Sequence, residues 1–283
     1  MPRLNQGIIC RGFLRKIGGA FGAQFNLIRT IMGLALHSLG KRLARFLSRE
    51  RADFQPLIPT SAAQLRAKLQ VGDVLLVEGS SRASSAIKFL TQSTWSHAAL
   101  YVGDEAANIP GLPEGACMIE ADMAEGVRAV CLEAFAGLHT RISRPFGLNE
   151  EERRAVARYA VQRIGHQYDL RNIFDLLRYL LPAPPIPGRL RKHLLALGSG
   201  DPTRAICSTL IAQAFQSIHY PILPQVTQRT LQDADCPDCA EEVFRLRHHS
   251  LFTPRDFDVS PYFEVIKPTA FKAGFDYKAL RWE

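Results

Sequence analysis

The sequence predicts an α+β protein in which a small antiparallel sheet packs against helices, preceded by an N-terminal amphipathic helical extension. Three observations predict this fold class. Apolar residues recur at three- and four-residue spacing over residues 8–50, which is typical of an amphipathic helix. From residue 71 short apolar runs alternate with turn residues, which is typical of antiparallel strands. Helical spacing returns after residue 148, so strands and helices are largely segregated along the chain.

The basic charge of the chain is concentrated in residues 1–51. The 283 residues have a formal net charge of +8, and residues 1–51 contain ten basic residues and one acid. Basic amphipathic helices bind anionic membranes because they bury their apolar face and hold their cations near lipid phosphates. We therefore expect Arg29, Lys41, Arg42 and Arg45 to contact an anionic membrane surface. A helix packed on the rest of the protein is the alternative, and we expect no nucleic-acid partner because no nucleic-acid-binding motif accompanies the charge.

Cysteine usage and the N-terminal sequence bear on the compartment. The six cysteines are scattered and too sparse for a disulfide scaffold, which favours a reducing compartment. The N-terminus has no pattern of a secretory signal. The longest apolar stretch, at 31–36, is far shorter than the about 20 residues that span a bilayer. We expect a cytoplasmic protein that associates peripherally with the membrane.

We divide the chain into a basic helical extension, a linker with a short helix and a main domain, at 1–51, 52–70 and 71–283. Five stretches of the main domain are predicted strands: 71–79, 97–104, 116–122, 126–135 and 139–145. Helices are predicted within 80–95 and at 149–164, 171–181 and 207–218. A proline-rich insert at 182–202 is compatible with a lid, a second lipid contact or a solvated connection. Residues 253–266 close the domain.

Three residues with chemically useful side chains lie in predicted elements, two of them at or near the start. His97 opens a strand in "STWSHAALYVGD", Glu120 lies in the next strand in "MIEAD", and Cys207 falls in the first turn of the helix "CSTLIAQAF". A helix N-terminus favours thiolate over thiol. A neighbouring imidazole activates the thiolate as a nucleophile, and a carboxylate on the far ring nitrogen orients the imidazole. Asp122 shares a strand face with Glu120, so the spacing leaves either carboxylate in the orienting position.

These stretches resemble the permuted branch of the NlpC-type papain-like superfamily, the YiiX-like proteins, in which the histidine strand precedes the cysteine helix. The resemblance covers about residues 70–266 and includes "GDVLLVEG", "GHQYD" and "TPRDFDVSPYFEVI". It implies a permuted papain-like fold for the main domain. It also implies that Cys207 is the nucleophile, His97 the general base and acid, and Glu120 the orienting residue.

The resemblance further implies which groups bind the substrate. The hydroxyl of Tyr168 and the backbone N–H of Cys207 are the expected donors to the oxyanion. The candidate substrate-binding residues are Trp95 and Ser96, which precede the strand histidine, and Asp169, which follows Tyr168. We expect no cofactor and no metal ion.

The stretch "CPDC" at 236–239 contains residue types that bind zinc. Cys236 and Cys239 are followed by His248 and His249, but the step of nine positions from Cys239 to His248 is shorter than the usual zinc-finger spacing of about 12 to 15. We therefore expect a surface loop, with a zinc site as the alternative.

The predicted function is that of a membrane-associated cysteine hydrolase or acyltransferase, which acts on an acyl-lipid or lipid-linked ester or amide through an acyl-enzyme. A cell-wall peptidase would normally be exported, and the sequence carries no export pattern, which favours the lipid substrate. A cysteine peptidase or amidase acting on peptide or peptidoglycan amides is one alternative. A non-catalytic lipid-binding or scaffolding protein of the same fold is the other.

Overall fold

The computed structural model describes residues 47, 49–107, 109–122, 125–167, 206–230 and 240–269. The chain divides into two compact units, Met1–Phe46 and Leu47–Glu283. The first unit lies outside the described residues, and with it the predicted membrane contacts Arg29, Lys41, Arg42 and Arg45. Leu47 is fully buried and Glu50 forms a β-bridge with Ser81, so the second unit begins inside the stretch predicted as the extension.

Six strands form one antiparallel sheet in the order β4-β3-β2-β1-β5-β8, and two more strands form a separate antiparallel hairpin, β6-β7. The strands are β1 (Val74–Val77), β2 (His97–Tyr101), β3 (Ala116–Asp122), β4 (Gly126–Cys131), β5 (Thr140–Pro145), β6 (Gln225–Thr230), β7 (Ala240–Arg245) and β8 (Phe263–Ile266). The predicted small antiparallel sheet is therefore present.

Five helices lie within the described residues: α1 (Ala62–Arg66), α2 (Arg82–Thr91), α3 (Glu150–Val161), α4 (Ile206–Gln216) and α5 (Pro254–Val259). Short 3₁₀ turns occur at Gly103–Ala106, Leu132–Phe135 and His249–Leu251. The predicted helix 171–181 and the proline-rich insert 182–202 lie outside the described residues. Among the described helices, none is long and apolar enough to cross a bilayer.

Local sequence accounts for the ends of these elements. Helix α3 begins after Asn149, whose side chain accepts the Glu152 amide at 2.9 Å while the Glu152 carboxylate accepts the Asn149 amide at 2.9 Å, a reciprocal capping box. The strand predicted over 126–135 is shorter than expected. It ends at Cys131 because the following 3₁₀ turn folds Leu132 and Phe135 into the core.

The hairpin β6-β7 is absent from the predicted elements. Its large apolar side chains Val226 and Phe244 are about half exposed, so they do not show the one-sided burial that produces an alternating pattern. The two strands are paired along their whole length, from Gln225 with Arg245 to Thr230 with Ala240.

Both faces of the six-stranded sheet are covered. On one face Leu75, Ala99 and Met118 pack with Leu65 of α1 and Phe135. The residues that alternate with them along the strands point to the opposite face and are fully buried as well, among them Leu76, Leu100 and Ile119. Helix α4 packs on β2 and β3 and also contacts α3. The sheet is therefore an internal layer that holds residues at its strand ends in fixed positions.

The segment that closes the domain packs on α4 through aromatic rings. Phe215 of α4 meets Phe263 of β8 edge to face at 5.2 Å and Phe257 of α5 at 6.4 Å. The hydroxyl of Tyr220 donates to the carbonyl of Tyr262 at 2.6 Å. Edge-to-face rings at these distances stabilise a core beyond the area they bury. Helix α4 is thus held between the sheet and the closing segment.

Gly126, which opens β4, allows the segment at 165–167 to approach the sheet edge. The amide of Gly165 donates to the carbonyl of Val127 at 2.8 Å, and the amide of Val127 donates to the carbonyl of His166 at 3.0 Å. Gly126 has φ +80°, and a Cβ added there would overlap the carbonyl oxygen of His166. A side chain at this position would therefore displace the chain that leads to Tyr168.

We predict that Gly126→Ala lowers the free energy of unfolding by about 2 to 3 kcal/mol, because it adds both the cost of a positive φ and a clash with backbone. Gly115→Ala is the matched control, since Gly115 has φ +76° but nothing within 4 Å of an added Cβ. Its expected loss is about 1 kcal/mol. Denaturant unfolding of both variants measures the difference, and equal losses would contradict the close approach at His166.

Candidate active site

The sheet and helix α4 bring together three of the predicted site residues. His97 is the first residue of β2, Glu120 lies in β3, and Cys207 is the second residue of α4. Cys207 and Glu120 are buried, while a quarter of the His97 side chain is exposed. Because α4 packs on β2 and β3, the start of this helix meets the ends of both strands.

His97 and Glu120 form a short hydrogen-bonded ion pair. The Nε2 atom of His97 lies 2.6 Å from Oε2 of Glu120, whose side chain is only 7% exposed. The register of the sheet explains the contact. Glu120 pairs with Ala99, so His97 lies two residues away along β2 on the same side of the strand. Such diagonal neighbours are within reach of long side chains, and Ala99 is too small to block the approach.

The thiol of Cys207 interacts with the same imidazole. The charge of the imidazole and its hydrogen bonding to the sulfur lower the pKa of the Cys207 thiol, as does the backbone N–H of Ala98. Since Glu120 occupies Nε2, Nδ1 is the ring nitrogen that remains for the thiol. Cys207 Sγ also lies 4.0 Å from Oγ of the buried Ser208. The three side chains therefore form a continuous chain from sulfur through imidazole to carboxylate.

Burial and charge act in opposite directions on these three groups. Burial alone would lower the pKa of His97, but the charges of Cys207 and Glu120 and their hydrogen bonds outweigh it, so the pKa of the imidazole is raised. Burial alone would raise the pKa of Cys207, but the His97 charge and hydrogen bond lower the thiol pKa below its usual value. Burial also opposes ionisation of Glu120, yet His97 and Arg128 lower its pKa to about 2. The favoured state is thiolate, imidazolium and carboxylate.

Arg128 binds the other oxygen of Glu120 and is a site residue that the sequence analysis missed. Its Nε donates to Oε1 of Glu120 at 2.8 Å, and its Nη2 lies 2.7 Å from the same oxygen. Arg128 and Glu120 are directly paired across β3 and β4. Its Nη1 also bonds Glu125 at 2.8 Å. The tight turn implied by "EADMAEGVR" is the sequence signal that could have placed these two residues opposite each other.

The structure selects between the two carboxylates that the spacing left open. Glu120 contacts the His97 ring, whereas Asp122 accepts the backbone amide of Glu125 at 2.9 Å and lies 3.9 Å from Arg128. Asp122 therefore contributes to the end of β3 and to the charge around Arg128, and Glu120 is the partner of the imidazole.

The predicted substrate-binding and oxyanion residues lie in different parts of the chain, and the structure describes only some of them. Trp95 is almost fully buried, lines a surface cleft and stacks with the Arg141 guanidinium at 4.9 Å. Ser96 is buried, and its hydroxyl accepts the Gly79 amide at 2.9 Å, a contact that holds the turn after β1. Tyr168 and Asp169 lie outside the described residues.

The cleft beside Trp95 has a volume of about 320 Å³. Val77 pairs with His97 on one side and with Thr140 on the other, and His139 of the cleft precedes Thr140. The cleft therefore lies at the same end of the sheet as His97. The His139 ring lies 5.1 Å from the Trp95 ring and accepts a backbone amide, and burial lowers the pKa of this histidine.

The described residues contain no group of three or more side chains that could bind a metal ion. Cys236 and Cys239 of the "CPDC" stretch lie outside the described part of the chain. His248 and His249 are adjacent in space, with ring centroids 4.0 Å apart. The described thiols of Cys117, Cys131 and Cys207 are free of disulfide bonds.

The strand histidine precedes the helix thiol in the chain, and the helix packs on the small antiparallel sheet to which the histidine belongs. This is the arrangement of a permuted papain-like fold, in which the usual order of cysteine and histidine is reversed. Residues 68–176 match the family described as permuted papain-like amidase enzymes, YaeF/YiiX, the C92 family. This match confirms the predicted resemblance to the YiiX-like branch and the permuted papain-like fold class. The matched residues include His97 and Glu120 and end before Cys207.

One solved structure similar to this chain is that of the metalloprotein YiiX from Escherichia coli O157:H7. The two chains are 18% identical with a TM-score of 0.40, and the similarity covers 70% of this chain and 96% of that chain. No curated protein matches the sequence of this chain.

We predict that Arg128→Gln raises the pKa of Glu120, because it removes the cation bound to Oε1. The folded pKa of Glu120 lies below its unfolded value of 4.5, so the ionised carboxylate stabilises the fold above about pH 4.5, and this contribution is lost as the pH falls towards 2. The variant should be less stable by roughly 1 to 3 kcal/mol at pH 7. The difference from the wild type should narrow as the pH falls towards 2.

Denaturant unfolding across this pH range measures the effect of Arg128→Gln. Arg154→Gln is the control, because Arg154 is similarly exposed and pairs with the exposed Glu150 at 3.0 Å. It should cost less than about 1 kcal/mol. If Arg128→Gln lowers the free energy of unfolding by the same amount at every pH, Arg128 contributes packing alone.

Proposed function

We propose that this protein is a membrane-associated cysteine hydrolase that cleaves the ester or amide bond of an acyl-lipid or lipid-linked substrate. The observation that carries the hydrolase assignment is the buried chain of thiol, imidazole and carboxylate formed by Cys207, His97 and Glu120. A thiolate beside an imidazolium is an activated nucleophile, and a carboxylate on the far nitrogen fixes the orientation of the ring.

In the first half of the proposed reaction the Cys207 thiolate attacks the carbonyl carbon of the substrate. The carbonyl electron pair moves to oxygen, where the backbone N–H of Cys207 is a donor, because the first N–H groups of a helix have no acceptor within it. As the C–O or C–N bond breaks, the His97 imidazolium gives its proton to the leaving oxygen or nitrogen. A thioester between the acyl group and Cys207 remains.

In the second half a water molecule attacks the thioester carbon and gives one proton to neutral His97. The C–S bond then breaks, which releases the carboxylic acid and restores the thiolate and imidazolium. Glu120 stays ionised throughout and holds the Nε2–H of His97. If an alcohol or amine replaces the water, the same steps transfer the acyl group to that acceptor.

Two features favour a lipid over a peptide substrate. The basic amphipathic sequence at 1–51 is suited to an anionic leaflet, and it directly precedes the hydrolase unit in the chain. Exposed apolar side chains surround the cleft at the end of the sheet that holds His97. We propose a peripheral position on the cytoplasmic face of the membrane, where both features meet the substrate.

A peptide or peptidoglycan amide is the second candidate substrate. The observation that favours it is the matched family, which is described as amidase enzymes. The same thiolate and imidazolium would cleave a peptide bond through the same thioester, so the substrate class depends on the binding surface and not on the three reacting groups.

We predict that Cys207 reacts with an alkylating probe with a thiol pKa below the ordinary value, and that His97→Ala slows alkylation near neutral pH by at least tenfold. The physical reason is that the imidazolium stabilises the thiolate against burial. Mass spectrometry after a pH series of alkylation reports Cys207 separately from Cys117 and Cys131.

His139→Ala is the matched control for alkylation, because His139 lies at the same end of the sheet and pairs with Trp95 and Ile58 in the described structure. This variant should leave the rate of Cys207 alkylation unchanged. An ordinary thiol pKa in the wild type, with no effect of His97→Ala, would favour a non-catalytic lipid-binding or scaffolding protein of this fold.

We predict that the intact chain releases fatty acid from vesicles that contain anionic glycerophospholipid, and that Cys207→Ala abolishes the release without a change in fold. Product analysis by mass spectrometry compares lipid vesicles with a peptide amide and a peptidoglycan fragment. Cleavage of the peptides but not the lipids would establish the second candidate. Lipid hydrolysis that persists in Cys207→Ala would remove Cys207 from the mechanism.

A further inference from the structure

Four exposed apolar side chains surround the cleft at the end of the sheet. Leu57 and Phe89 are each 75% exposed, and Ile58 and Val259 are about half exposed. Leu57 and Val259 line the cleft, and the amide of Ile58 donates to Nδ1 of His139 in the cleft wall at 3.1 Å. We call Leu57, Ile58, Phe89 and Val259 the cleft rim.

Helix α2 places Phe89 beside the same cleft. Gln92 is the C-cap of α2, and its side-chain amide donates to the carbonyl of Phe89 at 2.5 Å. Gln92 lines the cleft. Grouped exposed apolar side chains of this kind mark contact surfaces, whereas single exposed ones are ordinary.

The N-terminal part of the chain reaches the cleft rim along α2. Arg51 donates to the hydroxyl of Ser85 at 3.3 Å, and Lys88 lies over the ring of Phe54 at 5.1 Å. Residues 51–58 therefore follow α2 from its first turn to the cleft.

The cleft combines this apolar rim with a cation. Arg255 lines the cleft and is exposed, and it forms no hydrogen bond or ion pair with any described residue. Arg141 in the cleft is already paired with Asp258 at 2.7 Å. Apolar side chains around an unpaired guanidinium match the boundary of a bilayer, where acyl chains lie below phosphate groups.

We propose that the cleft rim is the surface by which the hydrolase unit rests on an anionic lipid leaflet, with Arg255 at the level of the lipid phosphates. The inference rests on the proposed function, since it names the surface that brings a lipid substrate to the end of the sheet that holds His97. A membrane is favoured over a second copy of the chain because Arg255, which has no partner among the described residues, is complementary in charge to lipid phosphates beside an apolar rim.

The test uses the full chain and sedimentation with vesicles of phosphatidylcholine and phosphatidylglycerol. The double variant Leu57→Ser with Phe89→Ser should bind at least tenfold more weakly, because two large apolar side chains no longer enter the leaflet. Arg255→Gln should weaken binding about fivefold, and only to vesicles that contain phosphatidylglycerol.

Phe146→Ser with Val265→Ser is the matched control, because both residues are exposed and apolar but do not line the cleft. It should leave vesicle binding unchanged. Thermal unfolding of each variant checks that these exposed positions do not alter the fold. A variant in which Lys41, Arg42 and Arg45 are replaced by Glu measures how much of the vesicle binding depends on the N-terminal unit, and the loss of binding in the rim variants is compared with it.

Binding of the Leu57→Ser, Phe89→Ser variant with wild-type affinity would overturn the inference. The inference would also be overturned if this variant changed the oligomeric state of the protein, measured by analytical ultracentrifugation, but not its vesicle binding. The rim would then be a contact between copies of the chain. Cys207 alkylation separates this result from the proposed function. A reactive Cys207 with unchanged vesicle binding would reject the rim alone, and an inert Cys207 with weakened binding would reject the hydrolase alone.

Discussion

The buried charge of Glu120 is the constraint on which the chemistry of the site depends. Burial opposes the ionised form of Cys207, His97 and Glu120, and it is the largest single influence on each of them. Each group alone would therefore tend to be neutral. Together the carboxylate stabilises the imidazolium, and the imidazolium stabilises the thiolate. The sheet holds the His97 and Glu120 side chains 2.6 Å apart, where their attraction, together with the charges of Cys207 and Arg128, outweighs the effect of burial on the pKa of each group.

The order of strands determines how Glu120 is held. Strands β2, β3 and β4 are consecutive and antiparallel, so β3 has the imidazole strand on one side and Arg128 of β4 on the other. The two oxygens of the carboxylate are divided between these neighbours, with Oε2 bound to His97 and Oε1 bound to Arg128. This division satisfies both oxygens and leaves little rotational freedom. Arg128 therefore holds the Glu120 carboxylate in place, and Glu120 in turn orients the His97 imidazole.

The three reacting groups and the surface around the cleft provide different parts of the proposed function. In the proposed mechanism the thiol, imidazole and carboxylate carry out acyl transfer through a thioester, which is compatible with an ester or an amide substrate. The cleft rim, with Arg255 beside it, gives the same end of the sheet an apolar and cationic face.

Sequence patterns were sufficient to predict the five strands from β1 to β5, the helices α3 and α4 and the positions of Cys207 and His97, because these elements carry a buried apolar face or a recognisable start. The hairpin β6-β7 was not predicted, and its paired side chains Val226 and Phe244 are about half exposed. The spacing left Glu120 and Asp122 as alternatives, and the tertiary contacts place Glu120 against His97 and reveal Arg128. Those contacts depend on the register between strands, and a single strand with a period of two places residues 120 and 122 on the same face without fixing which one lies within reach of His97.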